Sequence, residues 1–321
     1  MFILVISNTM VSQIPGITVA GANDELIKYT PVADAEFLFY SKPIYIDAIP
    51  VTPEGHPTPA IITKAVKSLT DFPLIVVRSG TMLPPRIPHV FIHDKPGENI
   101  TERDALPELD EILERSEILG QEFTKLFNEV YIAESLPGGT TTSLAVLRAL
   151  GYESRVSSSM KDNPLELKNR VVDMALNRKK PRSWYDVLKS FGDPMMAFIV
   201  GFSHGFRNDI YLFGGTQMLG VSALLKETGK IPRKIVTTKY IIEDKIATFA
   251  KTAKEIGVEY YPSYIDFSDS KFTGLRDYEK GIVKEGVGAG GSVYLAEKYG
   301  IKWEEIKNKV EEIYENLIKN R

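Results

Sequence analysis

The sequence of 321 residues contains no cysteine and only four histidines. The absence of cysteine excludes disulfides, thiolate zinc sites and cysteine nucleophiles together. His56, His89, His93 and His204 show no paired ligand spacing, so we predict no metal site. Lysine and arginine total 39 against 42 acidic residues, which gives a net charge of −3. This balance argues against a nucleic-acid partner and against an anionic membrane surface.

Long hydrophobic runs are also lacking. The opening run, residues 1–6, reads Met-Phe-Ile-Leu-Val-Ile. It has no basic start and is too short for a signal or a membrane span, so it predicts a buried first strand. Hydrophobic residues make up 43% of the chain and charged residues 25%, as in soluble globular enzymes. We therefore expect a cytoplasmic protein with no membrane partner and one large α/β core.

Short apolar runs alternate with longer amphipathic stretches, a pattern that predicts a parallel sheet covered by helices. The predicted strands are residues 2–6, 36–39, 74–77, 129–132, 210–213, 235–237 and 259–261. The predicted helices are residues 59–68, 106–127, 142–150, 165–177, 195–204, 217–227, 244–256, 292–299 and 303–319. Together these elements predict one doubly wound, mostly parallel, Rossmann-like α/β domain over residues 1–321. Its ligand crevice is expected at the carboxyl ends of the strands.

Two glycine-rich loops each carry a glutamate beside a predicted helix start. Residues 131–142 read Tyr-Ile-Ala-Glu-Ser-Leu-Pro-Gly-Gly-Thr-Thr-Thr and include Glu134. Residues 284–292 read Lys-Glu-Gly-Val-Gly-Ala-Gly-Gly-Ser and include Glu285. Glycine lets backbone N–H groups approach a ligand, and a helix N-terminus favours anions, so such turns suit phosphate. A carboxylate suits a neutral or cationic group instead, so the loops predict a phosphorylated ligand with a basic ring.

These loops resemble those of the nicotinate-nucleotide:dimethylbenzimidazole phosphoribosyltransferases, enzymes of cobalamin lower-ligand assembly. Residues 134–141 are similar to that family's Glu-x-Gly-x-Gly-Asn-Thr-Thr loop. Residues 285–289 are similar to its Gly-Glu-Gly-x-Gly-Ala segment, which holds the general base. Residues 186–192 and 210–215 resemble further segments of the family. The resemblance spans roughly residues 130–300.

The resemblance implies phosphoribosyl transfer from nicotinate mononucleotide to a benzimidazole-like base, in a homodimer that needs no metal or redox cofactor. It implies a small lobe from both chain termini beside a large lobe of roughly residues 30–290. The proline-rich residues 50–59 resemble a divergent archaeal-type branch. Glu285 is the expected general base and Glu134 an expected contact of the acceptor base. The other expected substrate contacts are Pro137, Gly138, Gly139, Thr140, Thr141, Ser158, Lys168, Gly214, Gly215, Gly286, Gly288 and Gly290.

Two alternatives remain open. Gly139 stands where the family has asparagine and Phe213 where it has an acid, so a nucleotide-binding or sensor protein without turnover is one hypothesis. An α/β hydrolase is the other, because residues 201–205 read Gly-Phe-Ser-His-Gly around Ser203. That mechanism requires an acid and then a histidine later in the chain, and no histidine follows His204. We therefore interpret the motif as a helix packing contact.

Overall fold

The structure is a computed structural model that describes residues 1–18, 25–46 and 55–319, so residues 50–54 of the proline-rich segment lie outside the described residues. Its strands pair side by side in the order β3-β2-β1-β4-β5-β6-β7, and every pair is parallel. They are Phe2–Ile6 (β1), Leu74–Ser79 (β2), Val90–His93 (β3), Glu129–Ser135 (β4), Asp209–Phe213 (β5), Lys234–Thr238 (β6) and Tyr260–Ser263 (β7). The strand order reverses between β1 and β4, and a crevice opens at the carboxyl ends of strands at such a point. The predicted α/β fold class is confirmed.

The helices connect these strands and cover the sheet. The α-helices of the described residues are Thr30–Phe39 (α1), Ala60–Thr70 (α2), Leu109–Thr124 (α3), Gly139–Ala149 (α4), Leu165–Arg178 (α5), Trp184–Phe191 (α6), Pro194–Gly205 (α7), Gln217–Glu227 (α8), Lys239–Ile242 (α9), Phe249–Ile256 (α10), Thr273–Arg276 (α11), Ala289–Lys298 (α12) and Trp303–Lys319 (α13). Short 3₁₀ helices span Met10–Gln13, Ile27–Tyr29 and Asp277–Lys280. Within this described part of the chain, no helix combines the length and apolar character needed to cross a membrane.

Two hydrophobic layers enclose β1 because alternate side chains of a strand point to opposite faces of the sheet. Phe2, Leu4 and Ile6 pack with apolar residues of α1, α2, α12 and α13. Ile3 and Val5 pack with the layer formed by α3 to α8 and α10. Each fully buried side chain of this size contributes about 1.5–3 kcal/mol. Helices from early and late parts of the chain thus share one face, and the division into two lobes stays a prediction.

Most predicted elements are confirmed with shifted ends, but several predictions need correction. The predicted strand at residues 36–39 is wrong, since these residues end α1. Its apolar run looks like a buried strand, yet the Glu36 carboxylate accepts backbone N–H groups from Ile44 at 2.7 Å and Arg86 at 2.9 Å. These tertiary contacts favour the helix. The short edge strand β3 and the helix α6 were not predicted, and the helix predicted over residues 244–256 begins only at Phe249.

The Gly-Phe-Ser-His-Gly motif lies inside α7 and packs against α3. Ser203 is 1% exposed, and its Oγ donates to a backbone carbonyl of its own helix at 2.7 Å. A Cβ atom on Gly201 would lie 2.6 Å from the carbonyl oxygen of Leu113, and one on Gly205 would overlap Glu117. The glycines therefore let two helices approach closely. The interpretation as a packing contact is confirmed, and the motif is not the strand-turn-helix that a hydrolase nucleophile requires.

Candidate active site

A cavity of about 600 Å³ lies at the carboxyl end of the sheet, beside the point where the strand order reverses. Residues 134–140, which end β4 and follow it, and residues 215–217 after β5 line it. Residues 284–287 before α12, residues 157–162 and residues 56–59 also line it. This volume falls within the range of about 300–1,000 Å³ that is typical of small-molecule sites.

The first glycine-rich loop turns sharply from β4 into α4. Glu134 is the last residue but one of β4 and is 2% exposed. Gly138 precedes α4 with φ +83°, a left-handed conformation that glycine adopts without strain, and an added Cβ would lie 3.1 Å from the backbone nitrogen of Ser12. At the helix start, the Thr140 hydroxyl accepts a hydrogen bond from Lys168 Nζ at 2.9 Å. The helix N-terminus and the ammonium group together favour an anion here.

A lysine pair, Lys168 and Lys284, lies along the cavity. Lys168 is 1% exposed and also donates to the carbonyl oxygen of Ser157 at 3.0 Å. Lys284 Nζ donates to the carbonyl oxygen of Ser158 at 2.6 Å and lies 3.4 Å from Asp244 Oδ2. Burial and, to a smaller extent, repulsion from Lys284 lower the pKa of Lys168 to about 7, although Asp244 raises it. Since two buried cations share one carboxylate, an added anion such as phosphate would stabilise them.

The second glycine-rich loop folds around the carboxylate of Glu285. Its Oε2 accepts the backbone N–H of Thr238 at 2.8 Å, and its Oε1 accepts that of Gly286 at 3.1 Å. Both oxygens accept the N–H of Gly290 in the first turn of α12, at 3.3 Å. The side chain therefore caps α12. Burial raises the pKa of Glu285 to about 7, although these N–H groups lower it, so the group can take up and release a proton near neutral pH.

Glu134, Glu285 and Asp34 form a carboxyl cluster in the cavity. Burial raises the pKa of Glu134 to about 8, and repulsion from Glu285, Asp193 and Asp34 adds to the shift. Burial also raises the pKa of Asp34 to about 6 against two hydroxyl hydrogen bonds that lower it. The sequence did not single out Asp34, because one acid within a helix forms no recognisable pattern. In the described residues, no three histidine or acidic side chains are grouped to hold a metal ion.

The cavity brings most of the predicted site residues together. Those that line it are Glu134, Pro137, Gly138, Gly139, Thr140, Ser158, Lys168, Gly215, Glu285 and Gly286. The others, Thr141, Gly214, Gly288 and Gly290, are not part of its described lining. A Cβ on Gly288 would lie 2.7 Å from the Cβ of Ala133, and one on Gly290 would overlap the backbone of Thr237. The Thr141 hydroxyl is buried without a hydrogen-bond partner among the described residues. The substrate contacts of all these residues stay predictions.

Residues 55–59, which we call the wall segment, form one wall of the cavity. Side chains from distant parts of the chain bind this segment. The hydroxyl groups of Tyr314 and Tyr278 donate to backbone carbonyls of this segment, at 2.7 and 3.2 Å. His56 Nδ1 lies 3.1 Å from Asp277 Oδ2. These contacts hold a proline-rich stretch, which has little regular structure of its own, in a fixed position beside the carboxyl cluster.

The chain is similar over nearly its whole length to archaeal proteins. The UPF0284 protein of Pyrococcus abyssi is 56% identical over 331 residues, which covers 99% of this chain and 98% of that protein. The UPF0284 protein of Archaeoglobus fulgidus is 44% identical over 322 residues, which covers 99% and 94%. The chain belongs to the UPF0284 family. No protein-family model matches it.

Two solved structures from Thermus thermophilus share the fold. The crystal structure of nicotinate-nucleotide-dimethylbenzimidazole phosphoribosyltransferase superposes with a TM-score of 0.60 at 13% identity, over 98% of this chain and 82% of that one. The crystal structure of CobT superposes with a TM-score of 0.58 at 13% identity, over 99% and 83%. At this identity the likeness concerns the fold alone. The fold of this UPF0284 protein is therefore the one that the loop resemblance predicted.

Proposed function

We propose that this protein transfers phosphoribose from nicotinate mononucleotide to a benzimidazole-like base for the assembly of the cobalamin lower ligand. One observation carries the proposal: a single cavity holds the buried lysine pair and the carboxyl cluster, of which Glu134 and Asp34 are buried. A nucleotide offers the complementary groups, an anionic phosphate and a basic ring. The fold shared with the phosphoribosyltransferase from Thermus thermophilus supports the same assignment.

In the proposed reaction, the lysine pair and the N-terminus of α4 bind the phosphate of the donor. A ring nitrogen of the acceptor base attacks ribose C1′ while the bond from C1′ to the pyridinium nitrogen breaks. The electron pair of that bond returns to the ring, so nicotinate leaves without an acid. The acceptor's N–H proton passes to Glu285, and the products are nicotinate and an α-riboside phosphate.

Burial raises the pKa of both glutamates of the cluster, and that of Glu134 more, so the two can take different roles. Glu134, with a pKa near 8, is mostly protonated at neutral pH. Burial raises the pKa of Glu285 to about 7, so this group ionises more readily than Glu134. Adjacent carboxyls rarely ionise together, and a pair whose environments differ commonly acts as one acid and one base. In this arrangement Glu134 donates a hydrogen bond to the acceptor base, and Glu285 removes its proton.

The test incubates the purified protein with nicotinate mononucleotide and a panel of bases, followed by mass spectrometry. The expected product has the mass of the base plus a phosphoribosyl group less one hydrogen, and it appears with one equivalent of nicotinate. Reactions without a base serve as the control. If no base in the panel yields a riboside phosphate, the proposed activity is wrong.

A nucleotide-binding or sensor protein is the second candidate. It is favoured by Phe213, which stands where the resembling family has an acid and stacks on Tyr131 in the core with ring centroids 5.1 Å apart. Tight binding of nicotinate mononucleotide without turnover of any base would support this candidate.

The homodimer and the cytoplasmic location stay predictions from the sequence. The mass of the protein in solution, compared with 35.9 kDa for one chain, tests the homodimer.

A further inference from the structure

Asp34 is the member of the carboxyl cluster that the proposed reaction does not use. It lies on α1, is 7% exposed and lines the cavity. Its Oδ1 accepts a hydrogen bond from Thr58 Oγ1 at 2.8 Å, and its Oδ2 accepts one from Ser135 Oγ at 2.7 Å. Both donors belong to segments that line the cavity, the wall segment and the end of β4. The carboxyl group is thus held in place at the cavity wall.

The protein supplies fewer donors than this carboxyl group can accept. A carboxylate offers about four lone-pair sites, and in the part of the chain that the structure describes, two hydroxyl groups donate to it. Among residues 1–18, 25–46 and 55–319, no ion pair includes Asp34. Burying a charge without a partner is costly, so a ligand that donates a hydrogen bond to Asp34 gains more than one that does not.

We propose that Asp34 selects acceptor bases that carry a hydrogen-bond donor, an amino or hydroxyl group, on the part of the ring that lies against α1. The inference rests on the proposed function, because it names the chemical class of that acceptor. A methyl group against Asp34 would displace water from the carboxyl group without replacing its hydrogen bonds. An amino group of nearly the same size would donate one. Sites that hydrogen-bond a substrate group reject analogues that lack it, since buried polar atoms are then left unpaired.

If Asp34 has this role, the cavity should prefer bases with a donor over dimethylbenzimidazole, whose two methyl groups donate no hydrogen bond. The experiment therefore compares 5-aminobenzimidazole with 5-methylbenzimidazole, which differ mainly in the donor. Calorimetry first measures the binding of each base without the nucleotide, and chromatography then measures turnover with nicotinate mononucleotide. We expect the wild-type protein to prefer the amino base by about tenfold or more in both measurements.

Asp34→Asn keeps the size of the side chain and removes its charge, so it should bring the preference close to parity. Asp193→Asn is the matched control. Asp193 is also a buried aspartate that accepts a hydroxyl hydrogen bond, from Thr142 at 2.6 Å, but it is not among the described residues that line the cavity. This variant should keep the wild-type preference even where it lowers stability. Because a ratio of two bases is measured, the amount of folded protein cancels.

The outcomes test the role of Asp34 and the proposed transfer reaction separately. If the wild-type protein binds the methyl base as tightly as the amino base, the role of Asp34 is overturned, whether or not the variants fold. If both bases yield riboside phosphate at equal rates, the proposed function stands and this inference fails. If the wild type but not Asp34→Asn binds the amino base more tightly, and neither base is converted, the specificity of Asp34 stands and the proposed transfer fails; if Asp34→Asn keeps the preference, the role of Asp34 is overturned.

Discussion

The two glycine-rich loops are similar in sequence but use their helix N-termini differently. Before α4, Gly138 turns the chain and the hydroxyl of Thr140 meets the ammonium group of Lys168. Before α12, the carboxylate of Glu285 already accepts N–H groups of the first helical turn. The first N-terminus lies beside a cation that favours an external anion, whereas the second holds an anion of the chain itself. The predicted phosphate site is therefore narrowed to the first loop.

The difference arises from where each glutamate sits. Glu134 lies on β4, so the sheet fixes the direction of its side chain. Glu285 lies in a loop before Gly286, whose φ of +153° lets the chain fold back on the carboxylate. A glycine-rich helix start thus suits phosphate only if no acidic side chain of its own loop can reach the free N–H groups. Mutations in the two loops should accordingly separate chemistry from donor binding.

The largest effect is expected for Glu285→Gln in the second loop. A positioned base contributes about 10²–10⁴-fold, so kcat should fall by that factor. Donor affinity should change little, because the phosphate is bound by the other loop. Single-turnover kinetics and calorimetry with nicotinate mononucleotide measure the two quantities. Near-normal turnover with an acceptor whose N–H must be lost would move the role of base to Glu134.

A stability control belongs to this variant. The amide nitrogen of glutamine donates hydrogen bonds, so one of the N–H groups now accepted by Glu285 would lose its partner. An unpaired buried donor costs about 1–3 kcal/mol. The thermal midpoint of Glu285→Gln should therefore be compared with the wild type before its rate is interpreted, and kinetics should be measured well below that midpoint.

A smaller effect is expected for Lys168→Met beside the first loop. Methionine is similar in length but carries no charge. The loss of a charge-assisted hydrogen bond of about 1.5–3 kcal/mol should weaken donor binding by about 10–100-fold. Nicotinate riboside, which lacks the phosphate, should bind equally to both proteins. Lys298→Met, which removes a lysine outside the described cavity lining, is the matched control. Equal weakening of nucleotide and riboside would place the phosphate elsewhere.

The sequence predicts the sheet better than it predicts the site. The run Phe2–Ile6 is apolar at every position because both faces of β1 are buried, and such a strand is recognised from composition alone. Glu285 and Lys168 were found because their segments resemble a known family. Asp34 was not, since it meets the cavity only when α1 packs beside β4 and Ser135, 101 positions later, reaches it. Lys284 was not among the expected substrate contacts, although it completes the lysine pair.

The carboxyl cluster and the buried Asp193 outside the described cavity lining predict how stability varies with pH. The pKa values of Glu134, Glu285, Asp34 and Asp193 are raised in the folded protein to about 8, 7, 6 and 6. The folded state therefore binds more protons than the unfolded state over this range. The contribution of these groups is present below about pH 4 and is lost as the pH rises through about 6 to 8. Lys168 acts oppositely, because its pKa is lowered to about 7 and its contribution is lost as the pH falls through that value.

Urea unfolding at a series of pH values measures this dependence. The free energy of unfolding should decrease between pH 5 and 8, and Glu134→Gln should flatten the decrease by removing the group with the highest pKa of the cluster. A slope that is unchanged in Glu134→Gln would show that the group is not protonated in the folded protein. Phosphate should stabilise the wild type near pH 7 and have less effect on Lys168→Met.

The smallest effect is expected for Ser203→Ala, in the Gly-Phe-Ser-His-Gly motif of α7. The hydroxyl donates to the carbonyl oxygen of Val200 in its own helix, so its removal should leave the formation of riboside phosphate within a fewfold of the wild type. Kinetics of the variant test this expectation directly. Covalent labelling of Ser203 by a fluorophosphonate probe would contradict it and would restore the hydrolase hypothesis.

The wall segment is held by a side chain that is synthesised much later. The cavity therefore lacks one of its stabilising contacts until the ribosome has made α13. The carbonyl oxygen of Gly55 accepts a hydrogen bond from the hydroxyl of Tyr314, which follows 259 positions later in the chain. At the usual pace of translation this interval is on the order of tens of seconds. All seven strands are made before Tyr314 emerges, so the sheet can assemble while one wall of the cavity is still unfastened. Ribosome-bound chains arrested before and after α13 should therefore differ in their retention of labelled nicotinate mononucleotide.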